Sequence, residues 1–260
     1  RARAAAPGAC PGPGAGRRGG SGAGGPLAPQ RIFGGKVRGG PARPPLHWTA
    51  DGKGYPVVEP AANGRGGRDI VRYDAATGRR NVVVRGERLV ASGGGELLKI
   101  EGDQLSPDGK RVLILANSER VWRENTRGDY WVIDVASGTP RKLGGASAAP
   151  STLMFAKFSP DGGRVAYVRA NNLYVEDVTS GAITPLTTDG SRTIINGTFD
   201  WVYEEELSLR DGFRWSPDGT RIAYWQLNDA GVRDFLLIDD TDSLYSFTVP
   251  VQYPIAGTTN

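Results

Sequence analysis

A four-residue turn motif recurs at nearly constant spacing, and this repeat constrains the fold more than any other feature of the chain. Ser-Pro-Asp-Gly occurs at 106–109, 159–162 and 216–219, each time after an apolar or aromatic residue and before a strand-like run. A degenerate copy, Thr-Ala-Asp-Gly, lies at 49–52, so successive copies are 57, 53 and 57 residues apart. Proline presets the first turn dihedral and glycine supplies a positive φ. Each copy therefore predicts a tight turn between two strands.

A second turn follows within each repeat, where a strand ends in Asp and leads into Thr-Gly or Ser-Gly. The copies lie at 74–78, 134–138 and 177–181, between short apolar or alternating runs. Two hairpins every ~55 residues give four strands per repeat, which is typical of β-propeller blades. A β-sandwich also has many short strands, but it does not repeat one turn chemistry at constant spacing. We therefore predict an all-β chain forming a β-propeller of about four blades.

The first 30 residues have a different composition, with nine Gly, five Pro and eight Ala, and with Leu27 as their only large aliphatic residue. Such a stretch buries too little apolar surface to offset the entropy of ordering, so we predict a disordered Gly/Pro/Arg-rich tail over 1–30 and the propeller over 31–260. An RGG-like nucleic-acid contact at 17–20 and a transit peptide are the functional alternatives for this tail.

Charge and rare residues exclude several classes of function. Residues 1–50 carry eight basic groups and no acid, whereas the other 210 carry 24 basic and 28 acidic groups. The net positive charge of the chain therefore comes from its N-terminal part. We expect no nucleic-acid partner. One Cys and one His leave no internal disulfide and no His-based metal cluster, and we expect neither metal nor cofactor. The longest apolar runs are far short of the ~20 residues of a membrane span. The compartment stays open, with a periplasmic or secreted location preferred to a cytoplasmic one.

One segment, at 196–207, fits no strand pattern. Asp200 is a suitable N-cap and three glutamates follow at 204–206, early in the predicted short helix, where its dipole favours negative charge. A solvated acidic face is the simplest interpretation of Glu-Glu-Glu. The neighbouring aromatic residues, Trp201 and Tyr203, favour instead a site partly shielded from water.

Carboxylates crowded in such a site need a cation. Two carboxylates can share the three donors of a primary ammonium group, which makes a ligand ammonium the natural partner. Calcium is the weaker alternative, because the chain has no Asp-x-Asp-x-Asp-Gly loop and the acidic run at 239–242 lacks the downstream Glu of such a loop.

These residues also carry a family resemblance. The run Asp-Trp-Val-Tyr-Glu-Glu-Glu at 200–206, with Phe-Arg-Trp-Ser-Pro-Asp-Gly at 213–219 and the run at 222–229, resembles the dipeptidyl peptidase IV branch of the prolyl oligopeptidase family. The similarity extends from about residue 30 to 257, and departs from the family at Ile255, where Lys is frequent. The resemblance implies the first half of an eight-bladed propeller, with a C-terminal α/β-hydrolase domain absent from this chain.

The resemblance also implies roles for individual residues. Glu205 and Glu206 would bind the free amino terminus of a peptide substrate. Arg123 would hold the carbonyl of the second substrate residue or a C-terminal carboxylate, although beside Glu124 it also fits a simple surface ion pair. Glu204 is assigned a structural role. A nucleophile at a fixed distance from the ammonium would then release a dipeptide, with Pro or Ala preferred at its second residue.

No catalytic residue is assigned to this chain, because no Gly-x-Ser-x-Gly nucleophile elbow occurs in it and its one histidine, His47, has no elbow to serve. We therefore predict a propeller fragment of a serine-type dipeptidyl peptidase, inactive by itself, with a peptide substrate and the hydrolase domain of the same polypeptide as its partners. A homodimer is a further partner that the family implies. The alternative is a stand-alone propeller that serves as a protein-interaction scaffold.

Overall fold

The computed structural model describes residues 46–62, 67–91, 96–146 and 148–259. The predicted tail, 1–30, and the predicted domain start at residue 31 lie outside these described residues. Within them the chain is mostly β, with seventeen strands, one α-helix and a short 3-10 helix at Gly86–Arg88. In that described part of the chain, no helix is long and apolar enough to cross a bilayer.

The strands form four successive antiparallel units, as the turn repeat predicts. The first contains β1 (Gly54–Pro60), β2 (Arg68–Asp74) and β3 (Arg80–Val84). The second contains β4 (Gly102–Leu105), β5 (Arg111–Arg120), β6 (Asn125–Asp134) and β7 (Pro140–Lys142). The third contains β8 (Leu153–Phe158), β9 (Arg164–Arg169), β10 (Asn172–Asp177) and β11 (Ile183–Pro185). A short pairing of β6 with β8 joins the second and third units into one eight-stranded sheet. The fourth contains β13 (Phe213–Trp215), β14 (Ile222–Tyr224), β15 (Gln226–Asn228), β16 (Asp234–Asp239) and β17 (Phe247–Gln252), preceded by β12 (Ile194–Asn196) and the helix α1 (Trp201–Leu207). The predicted β-propeller fold class is confirmed.

Each Ser-Pro-Asp-Gly turn is closed by the same hydrogen bonds. In the second unit, Ser106 Oγ donates to Asp108 Oδ1 (2.7 Å) and accepts from the backbone N–H of Arg111 (2.9 Å). Gly109 has φ +70°, the left-handed conformation that the turn requires and that glycine adopts without strain. In the degenerate first copy, Thr49 Oγ1 replaces the serine and donates to Asp51 Oδ1 (2.5 Å). The turn is thus specified locally by four residues.

The turns also join neighbouring blades. Arg111, just after the turn of the second blade, donates from Nη1 to the carbonyl oxygen of Gly162 in the next turn (3.1 Å). Arg164, at the same position in the third blade, donates from Nη2 to the carbonyl oxygen of Gly219 (2.8 Å). We call these two contacts the inter-blade brackets. Each bracket connects equivalent points of consecutive blades.

The aspartates of these turns should make stability fall in acid. The Asp218 carboxylate accepts from Ser216 Oγ (2.5 Å) and from the backbone N–H of Thr220 (3.0 Å), and these bonds hold the pKa of Asp218 at about 2. A pKa below the ordinary ~3.9 of Asp means that the stabilisation is complete above pH ~4 and is lost as the pH falls towards the folded-state pKa. Asp218→Asn keeps an acceptor but does not titrate. We expect the stability difference between wild type and Asp218→Asn to shrink from pH 6 to pH 3 in urea unfolding; a pH-independent difference would contradict this.

The core lies between successive blades. One buried cluster joins the first and second blades, a second joins the second and third, and a third joins the third and fourth. Tyr167 and Val165 on β9 pack in the middle cluster, while Ala166 and Val168, which point to the other face, pack with Phe213 of β13. A strand with both faces buried reads as a continuous apolar run, which explains the Val-Ala-Tyr-Val sequence of β9. Face-to-face packing of the blades thus fixes the position of each hairpin.

The fourth unit differs from the regular four-stranded repeat. Its strands form separate pairs, β13 with β14, β12 with β15 and β16 with β17. The division occurs at Trp225, between β14 and β15, whose N–H donates to the Gly212 carbonyl oxygen (2.9 Å) and whose carbonyl oxygen accepts from the N–H of Gly197 (2.9 Å). The backbone N–H and carbonyl oxygen of Trp225 are therefore hydrogen-bonded to the segments that precede and follow α1, and not to a neighbouring strand of a continuous sheet.

Candidate functional site

The helix α1 is formed by strong local signals at both ends. Asp200 is its N-cap, and Asp200 Oδ1 accepts a hydrogen bond from the backbone N–H of Tyr203 (2.8 Å). The helix ends at Ser208, which has a left-handed φ of 56° and whose N–H donates to the carbonyl oxygen of Glu204 (3.1 Å). These are the satisfied ends that a seven-residue helix needs. The helix is therefore placed where the sequence predicts it.

A second element reaches the helix from the second blade. Strands β5 and β6 are ten residues each and form the longest hairpin among the described strands, with its tip at 121–124. The register shifts between Ala116 and Glu119 and again before Arg120, which are irregularities of the kind that bend a hairpin. The tip is closed by a hydrogen bond from the N–H of Val121 to the carbonyl oxygen of Glu124 (3.1 Å). The hairpin places Arg123 at its end.

Arg123 and Glu205 meet although 82 residues separate them in sequence. Nε of Arg123 forms a hydrogen-bonded ion pair with Oε2 of Glu205. The Glu205 side chain is only 7% exposed, whereas that of Arg123 is 76% exposed. Arg123 thus pairs with the helix, and its guanidinium keeps donors available to a ligand.

The other two glutamates of the helix have different surroundings. Glu204 is buried and pairs through Oε1 with Nε of Arg210 (3.1 Å); its burial raises the pKa of Glu204, an effect that Arg210 opposes. Glu206 is exposed and forms no ion pair or hydrogen bond with any residue of the described ranges. The helix therefore presents one carboxylate paired with Arg210, one paired with Arg123 and one without a partner among the described residues.

The aromatic residues of the helix pack against rings outside it. Trp201 packs edge-on against Tyr253 (ring centroids 5.1 Å apart), and Tyr203 stacks on Phe199 (5.6 Å). These contacts fix the helix against the strand-end segments on both sides.

An acidic cleft of about 260 Å³ lies beside the Arg123–Glu205 pair. It is bordered by the hairpin tip, the start of α1 and the end of β17, and its lining includes Asp200, Glu204 and Asp229. Sequence reasoning assigns no role to Asp229 or to Arg210. Asp229 follows β15 within the run 222–229 but has no flanking charged residues that would single it out.

The described residues offer no metal centre, because no three His, Cys, Asp or Glu side chains among them are arranged to hold an ion. The available chemistry is charge-assisted hydrogen bonding by carboxylates and a guanidinium group, which suits a ligand with an ammonium group and a nearby oxygen acceptor.

These features define a β-propeller whose second blade contacts an acidic helix inserted before the fourth. The chain belongs to the dipeptidyl peptidase IV family: the model of the dipeptidyl peptidase IV N-terminal region matches residues 106–260. The family resemblance of the sequence is thereby confirmed.

Relatives and a solved structure agree with this assignment. Dipeptidyl aminopeptidase B of Saccharomyces cerevisiae is 34% identical over 185 residues, covering 69% of this chain and 22% of the relative. A probable dipeptidyl-aminopeptidase B of Emericella nidulans is 31% identical over 219 residues, covering 83% and 24%. The crystal structure of Porphyromonas gingivalis dipeptidyl peptidase 4 superposes with a TM-score of 0.78 at 27% identity, covering 91% of this chain and 32% of that one. The chain thus spans about a fifth to a third of the length of these proteins.

Proposed function

We propose that this chain is the substrate-recognition part of a serine-type dipeptidyl peptidase that releases dipeptides from free amino termini, with X-Pro or X-Ala as the preferred dipeptides. The names of the relatives support the reaction class. The observation that carries the residue assignment is the contact of Arg123 with Glu205 across 82 residues. It places a cationic and an anionic group side by side, as the two polar ends of a dipeptide require.

The substrate ammonium binds to Glu205 and Glu206 in this proposal. The Glu205 side chain is nearly buried and held by Arg123, so it offers a preorganised acceptor, while the exposed Glu206 supplies the second carboxylate. Charge-assisted hydrogen bonds to both satisfy two of the three ammonium donors. A blocked amino terminus loses this charge and is excluded.

Arg123 then orients the rest of the dipeptide. Its 76% exposed guanidinium can donate to the carbonyl of the second substrate residue while Nε stays on Glu205. With both ends fixed, a nucleophile at one distance reaches only the bond after the second residue. Cleavage itself is assigned to a Ser-His-Asp hydrolase domain of the same polypeptide, so we expect residues 1–260 alone to hydrolyse no peptide.

The test uses the full-length parent peptidase and a chromogenic Gly-Pro amide. We expect Glu205→Gln and Glu206→Gln each to lower kcat/KM by about 30- to 150-fold, because each change removes the charge from one hydrogen bond to the ammonium, worth about 2–3 kcal/mol. Glu124→Gln is the matched control: it is exposed and next to Arg123, and it should leave kcat/KM unchanged. The N-acetylated amide should not be cleaved. Unchanged kcat/KM in both helix variants would contradict the ammonium assignment.

A further inference from the structure

The acidic cleft beside the Arg123–Glu205 pair contains a carboxylate without a partner. Asp229 is 6% exposed and lines the cleft, and its carboxylate forms no hydrogen bond or ion pair with any residue in the described ranges. Its backbone is fixed, because its N–H donates to the carbonyl oxygen of Thr193 (2.8 Å) and its own carbonyl oxygen accepts from the N–H of Val232 (2.9 Å). A buried ionised group without a partner is costly. The site therefore favours a cationic ligand.

A second buried carboxylate increases this demand. Asp200, 9% exposed, lines the same cleft, and its Oδ1 is engaged by the N–H of Tyr203. Burial, and secondarily the charge of Asp200, raise the pKa of Asp229 to about 6. Two negative groups thus face one space from two different segments of the fourth unit.

The basic residues of the cleft do not neutralise these carboxylates. Arg210 is paired with Glu204 (3.1 Å), and Arg192 forms an ion pair with Asp234 at the start of β16. Each guanidinium group thus has another acid as its partner, and neither pairs with Asp229. A cationic ligand would supply the partner that Asp229 lacks.

The walls of the cleft indicate which kind of cation fits. Trp122, Phe155 and Trp201 line it together with the two aspartates. Aromatic faces pack well on an alkyl chain and attract a cation. Because no metal-binding group of three side chains exists among the described residues, an organic cation on an apolar stem fits the lining better than a metal ion.

The cleft lies within reach of the proposed ammonium site. Glu204, which directly precedes Glu205, lines the cleft, and so does Trp122, which directly precedes Arg123. The cleft therefore adjoins both residues of the ion pair. In this proposal a substrate whose amino terminus is held at Glu205 extends its first side chain into the cleft.

We propose that this cleft binds the basic side chain of the first substrate residue, and that Asp229 is a specificity-determining residue for Lys or Arg at that position. The inference rests on the proposed function, because it takes the amino terminus to be held at Glu205. Asp229 contacts the side chain of the substrate and no reacting atom.

The experiment compares three chromogenic dipeptide amides on the full-length parent peptidase: Lys-Pro, norleucine-Pro and Gly-Pro. Norleucine has an unbranched alkyl side chain without the ammonium group, so the Lys-Pro to norleucine-Pro ratio of kcat/KM isolates the charge. We expect wild type to prefer Lys-Pro, and Asp229→Asn to lower the ratio about 10-fold while Gly-Pro changes less than 2-fold. Asp229→Glu, which keeps the charge, should retain part of the preference. Glu205→Gln should lower kcat/KM for all three substrates and leave the Lys-Pro to norleucine-Pro ratio unchanged.

Three results would overturn the inference. Wild type that cleaves Lys-Pro no better than norleucine-Pro refutes it without any variant, so failure of Asp229→Asn to fold does not leave it untested. An unchanged ratio in Asp229→Asn means that a basic residue of the protein itself fills the cleft. An equal fall for all three substrates means that Asp229 only supports the helix. If the ratio behaves as expected but Glu205→Gln has no effect on Gly-Pro, the ammonium assignment fails and the cleft assignment stands.

Discussion

Replacing Glu176 with alanine is expected to lower the free energy of unfolding by about 3–5 kcal/mol, the range for breaking a buried ion pair from one side. The Glu176 side chain is 1% exposed and lies on β10 of the third blade. Its Oε1 accepts from Nη1 of Arg141 on β7 (2.5 Å), and its Oε2 accepts from the N–H of Gly144 (2.9 Å) and from the Tyr167 hydroxyl (3.3 Å). The change removes the acceptor of the Gly144 N–H and of the Tyr167 hydroxyl and takes its carboxylate partner from Arg141, at the contact between two blades.

The control for this prediction is Glu119→Ala. Glu119 pairs with Arg127 at 2.8 Å, but both side chains are about half exposed, so the pair contributes less than about 1 kcal/mol. Urea unfolding followed by tryptophan fluorescence measures both variants. Equal losses for Glu176→Ala and Glu119→Ala would show that the buried contact does not hold the second and third blades together.

The neighbouring glutamates of α1 should differ sharply in their effect on stability. Glu204→Ala is expected to cost about 3 kcal/mol, because it leaves Arg210 without its buried partner. Glu206→Ala should change stability by less than about 0.5 kcal/mol, because Glu206 is exposed and has no partner among the described residues. The two variants differ by two positions in one helix, so helix propensity is matched.

The effects of the two variants on catalysis should be reversed: Glu206→Ala should lower kcat/KM more than Glu204→Ala does. In the parent peptidase, we expect Glu206→Ala to lower kcat/KM on Gly-Pro amides without lowering the midpoint of urea unfolding. We expect the main effect of Glu204→Ala to be a lower midpoint of urea unfolding. Arg210→Met, which removes the other partner of Glu204, should reproduce the Glu204→Ala loss of stability. A stable Glu204→Ala protein with the activity defect of Glu206→Ala would assign Glu204 to the ligand.

Much of the fold follows from the sequence because the turns are local. The side-chain acceptors of each Ser-Pro-Asp-Gly turn are its own serine and aspartate, and their donors lie within five residues, so the local sequence at 106–111 specifies the β4–β5 hairpin. The helix α1 is also specified locally, because the Asp200 carboxylate accepts a hydrogen bond from the N–H of Tyr203, only three residues away. The division of the fourth unit could not be predicted, because Trp225 bonds to Gly197, 28 positions away.

The arrangement of the proposed binding site is harder to predict from the sequence than the fold is. Arg123 beside Glu124 fits a surface ion pair equally well, and only the family resemblance points to a substrate role. Its contact with Glu205 depends on the length and bend of a hairpin in another blade, which no local pattern encodes. Sequence patterns give no signal for Asp229 for the same reason: it is buried in a cleft whose lining comes from segments that are distant in sequence.

The inter-blade brackets join equivalent turns of consecutive blades although the chain between the two turns differs in length. One bracket spans 51 residues and the other 55, yet both join the same two positions of consecutive turns. The longer span contains α1, and the shorter one contains the Arg123 hairpin. The two elements of the proposed binding site therefore lie between contacts that have the same geometry in both pairs of blades. Insertions or deletions at the hairpin tip or around the helix could remodel substrate recognition while the blade-to-blade contacts stay in place.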